Sequence, residues 1–186
     1  MMRDTANKFS PVTLSLHWLV GIMMICLLAT GWYMAEFGFY PLYFWHKSFG
    51  VLIILFVVPR VIWRMKNGWP TPVSQYSALE ITLAKCVHYL LIIGTLVMPI
   101  SGFLMSALGG YGVSLFGLEL VARRPDPADP QEVIPINAAI GGITHTIHHY
   151  AGYALIAGVA LHIAGALKHH LVDKDGTLRR MLGSEV

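Results

Sequence analysis

The chain has 186 residues, of which 55% are apolar and only 12% charged, with a formal net charge of +3. Soluble domains carry roughly a quarter charged residues, so this balance argues against a water-soluble globule. Its two cysteines, Cys26 and Cys86, both fall in apolar runs and supply neither a disulfide framework nor a thiolate zinc site.

Four stretches carry little or no charge: Val12 to Met34, Tyr43 to Pro59, Cys86 to Leu108 and Ile140 to Leu167. A bilayer-spanning helix needs about 20 apolar residues. The expected fold is therefore all-α, a transmembrane four-helix bundle forming one domain over residues 1–186, with helices near 12–34, 43–65, 80–107 and 140–170. The first run, 23 residues long, exceeds a signal-peptide core and is expected to be retained. Pro70 and Pro72 mark Gly68 to Ser77 as a short loop. Gly109 to Asn137 is the only long connection, with a short interfacial turn expected near Val113 to Leu118. No nucleic-acid signature is visible.

Orientation follows from the cations. Arg3, Lys8, Arg60, Arg64, Lys66, Lys85, Lys168, Lys174, Arg179 and Arg180 fall on one side, against Lys47, Arg123 and Arg124 on the other. The positive-inside rule then puts both termini of this multi-pass protein, in contact with lipid, in the cytoplasm. The outer face, which also holds Glu36, Glu119, Asp126, Asp129 and Glu132, sums to −2 and the inner face to +5. Trp32, Tyr33, Tyr40, Tyr43 and Trp45 suit the outer interface, and Trp63, Trp69 and Tyr76 the inner one, unless they simply pack between helices.

Ionisable residues at membrane depth are costly and usually functional, which directs attention to the histidines. His148 and His162 stand 14 residues apart on the fourth helix. At 100° and 1.5 Å per residue they share a face about 21 Å apart in depth. The first helix places His17 near its inner end and the second places His46 at its outer start. Two pairs result, His46 with His148 outside and His17 with His162 inside. One axial ligand from each of two facing helices, twice over, describes two bis-histidine haem b groups in a bundle. Small residues one turn away leave room for a ring: Gly21, Gly50 and Gly152 follow His17, His46 and His148 at i+4, and His162 has Gly158 at i−4 and Ala166 at i+4. His88, His145 and His149 are followed instead by Ile92, His149 and Tyr153.

Arg60 and Arg64 lie 14 and 18 residues after His46, near its helical face but at the inner surface. There they are candidates for pairing with haem propionates or for anchoring to lipid headgroups. Lys47, Arg123 and Arg124 are the outer candidates for the same task, and for a positive funnel toward an anion. His88 is read either as a proton or hydrogen-bond partner for a quinone head group or as an interior histidine without chemistry. No side chain stands out as catalytic.

These residues lead to a family. The segments LSLHWLVG, WHKSFGVLIILFVVPRVIWR, AKCVHYLL and HHYAGYALIAGVALHIAGALKHH, with the tail DKDGTLRRMLG, resemble the bacterial cytochrome b561 family across nearly the full chain. These are small four-helix inner-membrane di-haem cytochromes akin to the cytochrome b subunits of formate dehydrogenases and hydrogenases. The resemblance implies the same four ligands and electron exchange with ubiquinone. One branch, superoxide oxidase, passes electrons from superoxide outside to quinone. An outer face of −2 sits awkwardly with an anionic substrate unless the three outer cations act locally. A rival function is a haem-bearing anchor on which a larger redox protein docks through the outer loop. A metal transporter would need carboxylates within the spans, and none of the ten acids lies in an apolar run.

Overall fold

The computed structural model describes residues 3–186. Its helices are α1 (Pro11–Phe37), α2 (Tyr43–Leu52), α3 (Ile54–Asn67), α4 (Ala78–Leu108), α5 (Ala138–Leu171) and the short α6 (Thr177–Met181), with a 3-10 turn at Tyr40–Leu42. The turn, α2 and α3 form one span, so four helical segments of 27, 28, 31 and 34 residues are long and apolar enough to cross a membrane. Each outruns its expected bounds by a few residues because local caps extend it. The Ser10 side chain accepts from Thr13 N–H ahead of Pro11, Ser77 and Glu80 form a reciprocal capping box, and Asn137 accepts from Ile140 N–H. The second span tightens at Ile53, whose carbonyl accepts from both Phe56 and Val57 N–H.

The shared core is thin and lies across the middle of the bundle. Val20, Met24, Leu28, Ile53, Val57, Met98 and Leu155 form one buried cluster. α4 and α5 make the most extensive contact. Glycine permits their approach: a Cβ at Gly94 would stand 2.5 Å from Leu155 Cδ2, and one at Gly158 2.9 Å from Leu90 Cδ2. Large apolar side chains elsewhere point outward, Leu55 being 65% and Ile93 57% exposed, as suits helices surrounded by lipid.

The long connection departs from expectation. Where a single interfacial turn is predicted, the chain forms an antiparallel hairpin of β1 (Val113–Leu115) and β2 (Leu118–Val121). Its two-residue turn, Phe116–Gly117, has φ of +49° and +95°, which matches the strand twist but costs the phenylalanine local strain. Packing offsets it, since Phe116 meets Phe49 at 5.2 Å and Trp45 at 6.3 Å between ring centroids. The buried Ser48 hydroxyl also accepts from Phe116 N–H at 3.0 Å, tying the hairpin to α2. At the opposite end both termini are tied to the bundle. Trp18 Nε1 donates to the Met181 carbonyl at 2.9 Å, and Arg180 donates to the carbonyls of Ala6 and Thr71.

Candidate functional site

At the hairpin end, α2 and α5 bring His46 and His148 together, with ring centroids 6.4 Å apart and planes at 88°. Each ring is backed by the helix behind it. Thr30 Oγ1 of α1 lies 3.2 Å from His46 Nδ1, and Ser101 Oγ of α4 lies 3.1 Å from His148 Nδ1, which is also 3.0 Å from the Met98 carbonyl. A glycine follows each hydroxyl residue. A Cβ at Gly31 would stand 3.1 Å from His46 Cε1 and one at Gly102 2.9 Å from His148 Cε1, so the rings fit only because these positions are bare. Thr30, Gly31, Ser101 and Gly102 escaped the reading of the sequence. The signal that could have found them is a hydroxyl residue followed by glycine, repeated on two helices.

A cavity of about 810 Å³ opens beside these rings, lined by His46, His148, Lys47, Gly50, Gly102 and Gly152 among others. Its size falls within the range of cofactor pockets. A Cβ at Gly50 would meet nothing within 4 Å, and one at Gly152 only Met98 Cε at 3.6 Å.

At the terminal end, α1 and α5 bring His17 and His162 to 6.1 Å between centroids, with planes at 53°. His88 of α4 also arrives here, 5.4 Å from His162, and stacks on Trp69 at 5.9 Å and 19°. Gly21, one turn from His17, faces open space, whereas Gly158 does not: Leu90 fills that side. The room expected at Gly158 is therefore a helix contact, and the open position near His162 is Gly165. Arg60 is half-buried and close enough for its charge to act on His17, His88 and His162. Arg64 pairs with Asp4 at 2.7 Å, and its charge still reaches His17 and His88.

The three cations at the hairpin end are not equivalent. Lys47 and Arg123 line one pocket of about 360 Å³ together with Glu119 and Tyr111; Arg124 does not. Lys47 Nζ donates to the Gly112 carbonyl at 3.1 Å, and Arg123 to the carbonyls of Pro130 and Gln131. Carbonyls leave both charges unneutralised. Among the described residues one further group has ligand-type side chains in reach of one another, His169, Asp173 and Asp175. Its carboxylates already accept from Lys168, His169 and Tyr76.

Residues 8–184 match the family described as prokaryotic cytochrome b561. The chain belongs to that family. It is similar to cytochrome b561 homolog 2 of Escherichia coli (strain K12), 29% identical over 97% of this chain and 94% of the relative. Cytochrome b561 homolog 1 of the same organism is 27% identical over 95% and 97%. The probable superoxide oxidase CybB of Yersinia pestis is 26% identical over 95% and 96%. The chain is thus a bacterial membrane electron-transfer protein, and cytochrome b561 membership implies haem b.

The residues present fit that group. Imidazole pairs are a donor set that haem b iron would take. Each end of the bundle supplies one such pair, His46 with His148 at 6.4 Å and His17 with His162 at 6.1 Å between ring centroids, and open glycine positions beside them would admit a ring.

Proposed function

We propose that this cytochrome b561 binds two haem b groups, one held by His46 and His148 and the other by His17 and His162, and passes electrons across an inner membrane between an outer donor and ubiquinone. The observation that carries the proposal is the pair of neighbouring imidazoles at each end of the bundle, 6.4 Å and 6.1 Å apart between ring centroids, beside glycines that leave room for a ring. Haem supplies one-electron exchange without a substrate bond being made. The protein's part is to fix the four imidazoles, keep water out with the buried cluster between them, and place charge at the two rims. Arg60 is the propionate partner at the terminal end and Lys47 at the hairpin end. His88, packed on Trp69, stands ready to give a proton or hydrogen bond to a quinone head group.

With both termini cytoplasmic, the hairpin faces outward. Superoxide is then the favoured donor, drawn in by Lys47 and Arg123, in keeping with the name of one relative. The second reading, an anchor for a redox protein docking on the hairpin, draws on the net −2 of that face.

The test is haem stoichiometry with reduced-minus-oxidised spectra of the purified protein. His46→Ala and His148→Ala should each lose the same low-spin component, His17→Ala and His162→Ala the other, and His88→Ala should keep two haems. Loss of one haem in His88→Ala with full content in His17→Ala would overturn the assignment.

A further inference from the structure

The two ends of the bundle treat their imidazoles differently. Each hydroxyl at the hairpin end owns a single proton. That of Thr30 is directed to the carbonyl of Cys26 at 2.9 Å or Leu27 at 3.1 Å, and that of Ser101 to Val97 at 2.6 Å or Met98 at 3.1 Å. The hydroxyl oxygens are free to accept, and with Nε2 as the iron-binding atom of the ligand assignment proposed above, Nδ1 of His46 and of His148 is the donor. For His148 the Met98 carbonyl, which can only accept, requires the same. Both rings therefore carry their proton on Nδ1 and present the Nε2 lone pair. Among the described residues neither His17 nor His162 has a hydrogen-bond partner, and the charge that acts on both is the guanidinium of Arg60.

We infer that Thr30 and Ser101 are positioning residues that hold the hairpin-end haem at a lower reduction potential than the terminal-end haem; this rests on the ligand assignment proposed above. Donation from Nδ1–H makes Nε2 a stronger electron donor to iron, which favours the ferric state. A positive charge beside the other pair favours its reduced state. Lys47, which lines the hairpin-end cavity, opposes the hydroxyls there, so their effect has to outweigh one cation for an electron to pass downhill from the hairpin-end haem, oxidised in the step, to the terminal-end haem, reduced in it, with no proton transferred.

Spectroelectrochemical titration of the purified holoprotein tests this. Thr30→Val should raise the lower-potential component. Poised at the wild-type midpoint, its ratio of reduced to oxidised haem should rise about threefold to tenfold, tenfold being about 59 mV for one electron. Ser101→Ala should raise it less, because the Met98 carbonyl still accepts from His148, and Thr30→Ser should restore the wild-type value. Arg60→Gln should lower the other component. Unchanged midpoints in both Thr30→Val and Ser101→Ala at full haem content would overturn the inference, as would Thr30→Val and Arg60→Gln moving the same component. Failure of the ligand assignment reads differently, as His46→Ala retaining two haems.

Discussion

Arg64 donates from Nη2 to Asp4 Oδ2 at 2.7 Å, with both side chains less than a fifth exposed. Beside it Trp63 Nε1 donates to Thr13 Oγ1 at 2.8 Å, and Thr13 in turn donates to the same carboxylate. The guanidinium is committed to the amino-terminal segment. Of the two arginines expected to meet a propionate, Arg60 has no carboxylate partner among the described residues and its charge acts on all three histidines of the terminal end, whereas that of Arg64 acts on His17 and His88 alone.

Arg60→Gln should therefore lower the potential of one haem, while Arg64→Gln should shift it less and loosen the terminal end of the bundle. A redox titration paired with a thermal melt in detergent separates the two outcomes. Equal potential shifts in both variants would return Arg64 to the propionate role.

Asp4 gives that end of the molecule a pH dependence. Partial burial pushes its carboxyl up, but the Ser10 N–H, the hydroxyls of Thr13 and Ser10, and Arg64 outweigh burial and hold it below its usual 3.8. A carboxyl lowered by folding contributes stability that is full above the unfolded value and is lost as pH falls toward and through the folded one. Asp4→Asn should cost about 2 kcal/mol near pH 6, and the difference from wild type should shrink below about pH 4. Melts across pH 6 to 3 check it; a constant difference refutes it.

The glycines separate space kept for a ring from space kept for a helix. A Cβ at Gly50 or Gly21 meets no protein atom within 4 Å, so Gly50→Leu and Gly21→Leu should fold with normal helix content, yet each should drop the haem-to-protein ratio from two toward one. Gly158→Leu strikes Leu90 and should instead destabilise the bundle by about 1–3 kcal/mol. Circular dichroism with haem quantitation distinguishes the patterns.

At the hairpin, Lys47→Gln and Arg123→Gln should slow superoxide-driven haem reduction about threefold to tenfold and flatten its salt dependence. Arg124→Gln, outside the pocket, should do neither. Stopped-flow reduction measures both quantities. A wild-type rate that rises with added salt would favour the docking-anchor reading.

The four spans were legible because charge is nearly absent from their apolar runs, and the histidine pairs because a 14-residue spacing on one helix fixes two depths that the direction of the other helices then matches. The hairpin was hidden: VSLFGLELV is short, and its turn needs a positive φ from Phe116, which only packing against Phe49 and Trp45 makes tolerable. Thr30 and Ser101 were hidden because hydroxyls in membrane helices routinely bond their own backbone, as these also do. Asp4 with Arg64 joins residues 60 apart in sequence, and no periodicity marks such a pair.

Between the two histidine levels lies the buried cluster around Val20, Ile53 and Leu155, and no Asp, Glu, Lys or Arg occupies the helical stretches that cross it. On the proposed two-haem reading, an electron moving through this layer has no charged side chain beside it to offset its charge, which would make the step electrogenic. With the levels about 21 Å apart in a core of about 30 Å, it works against roughly 1.6 kcal/mol for each 100 mV of membrane voltage. In the proposed orientation an electron moving inward climbs toward a negative cytoplasm. An energised cell would hold this conduit back, and a fall in membrane voltage would open it.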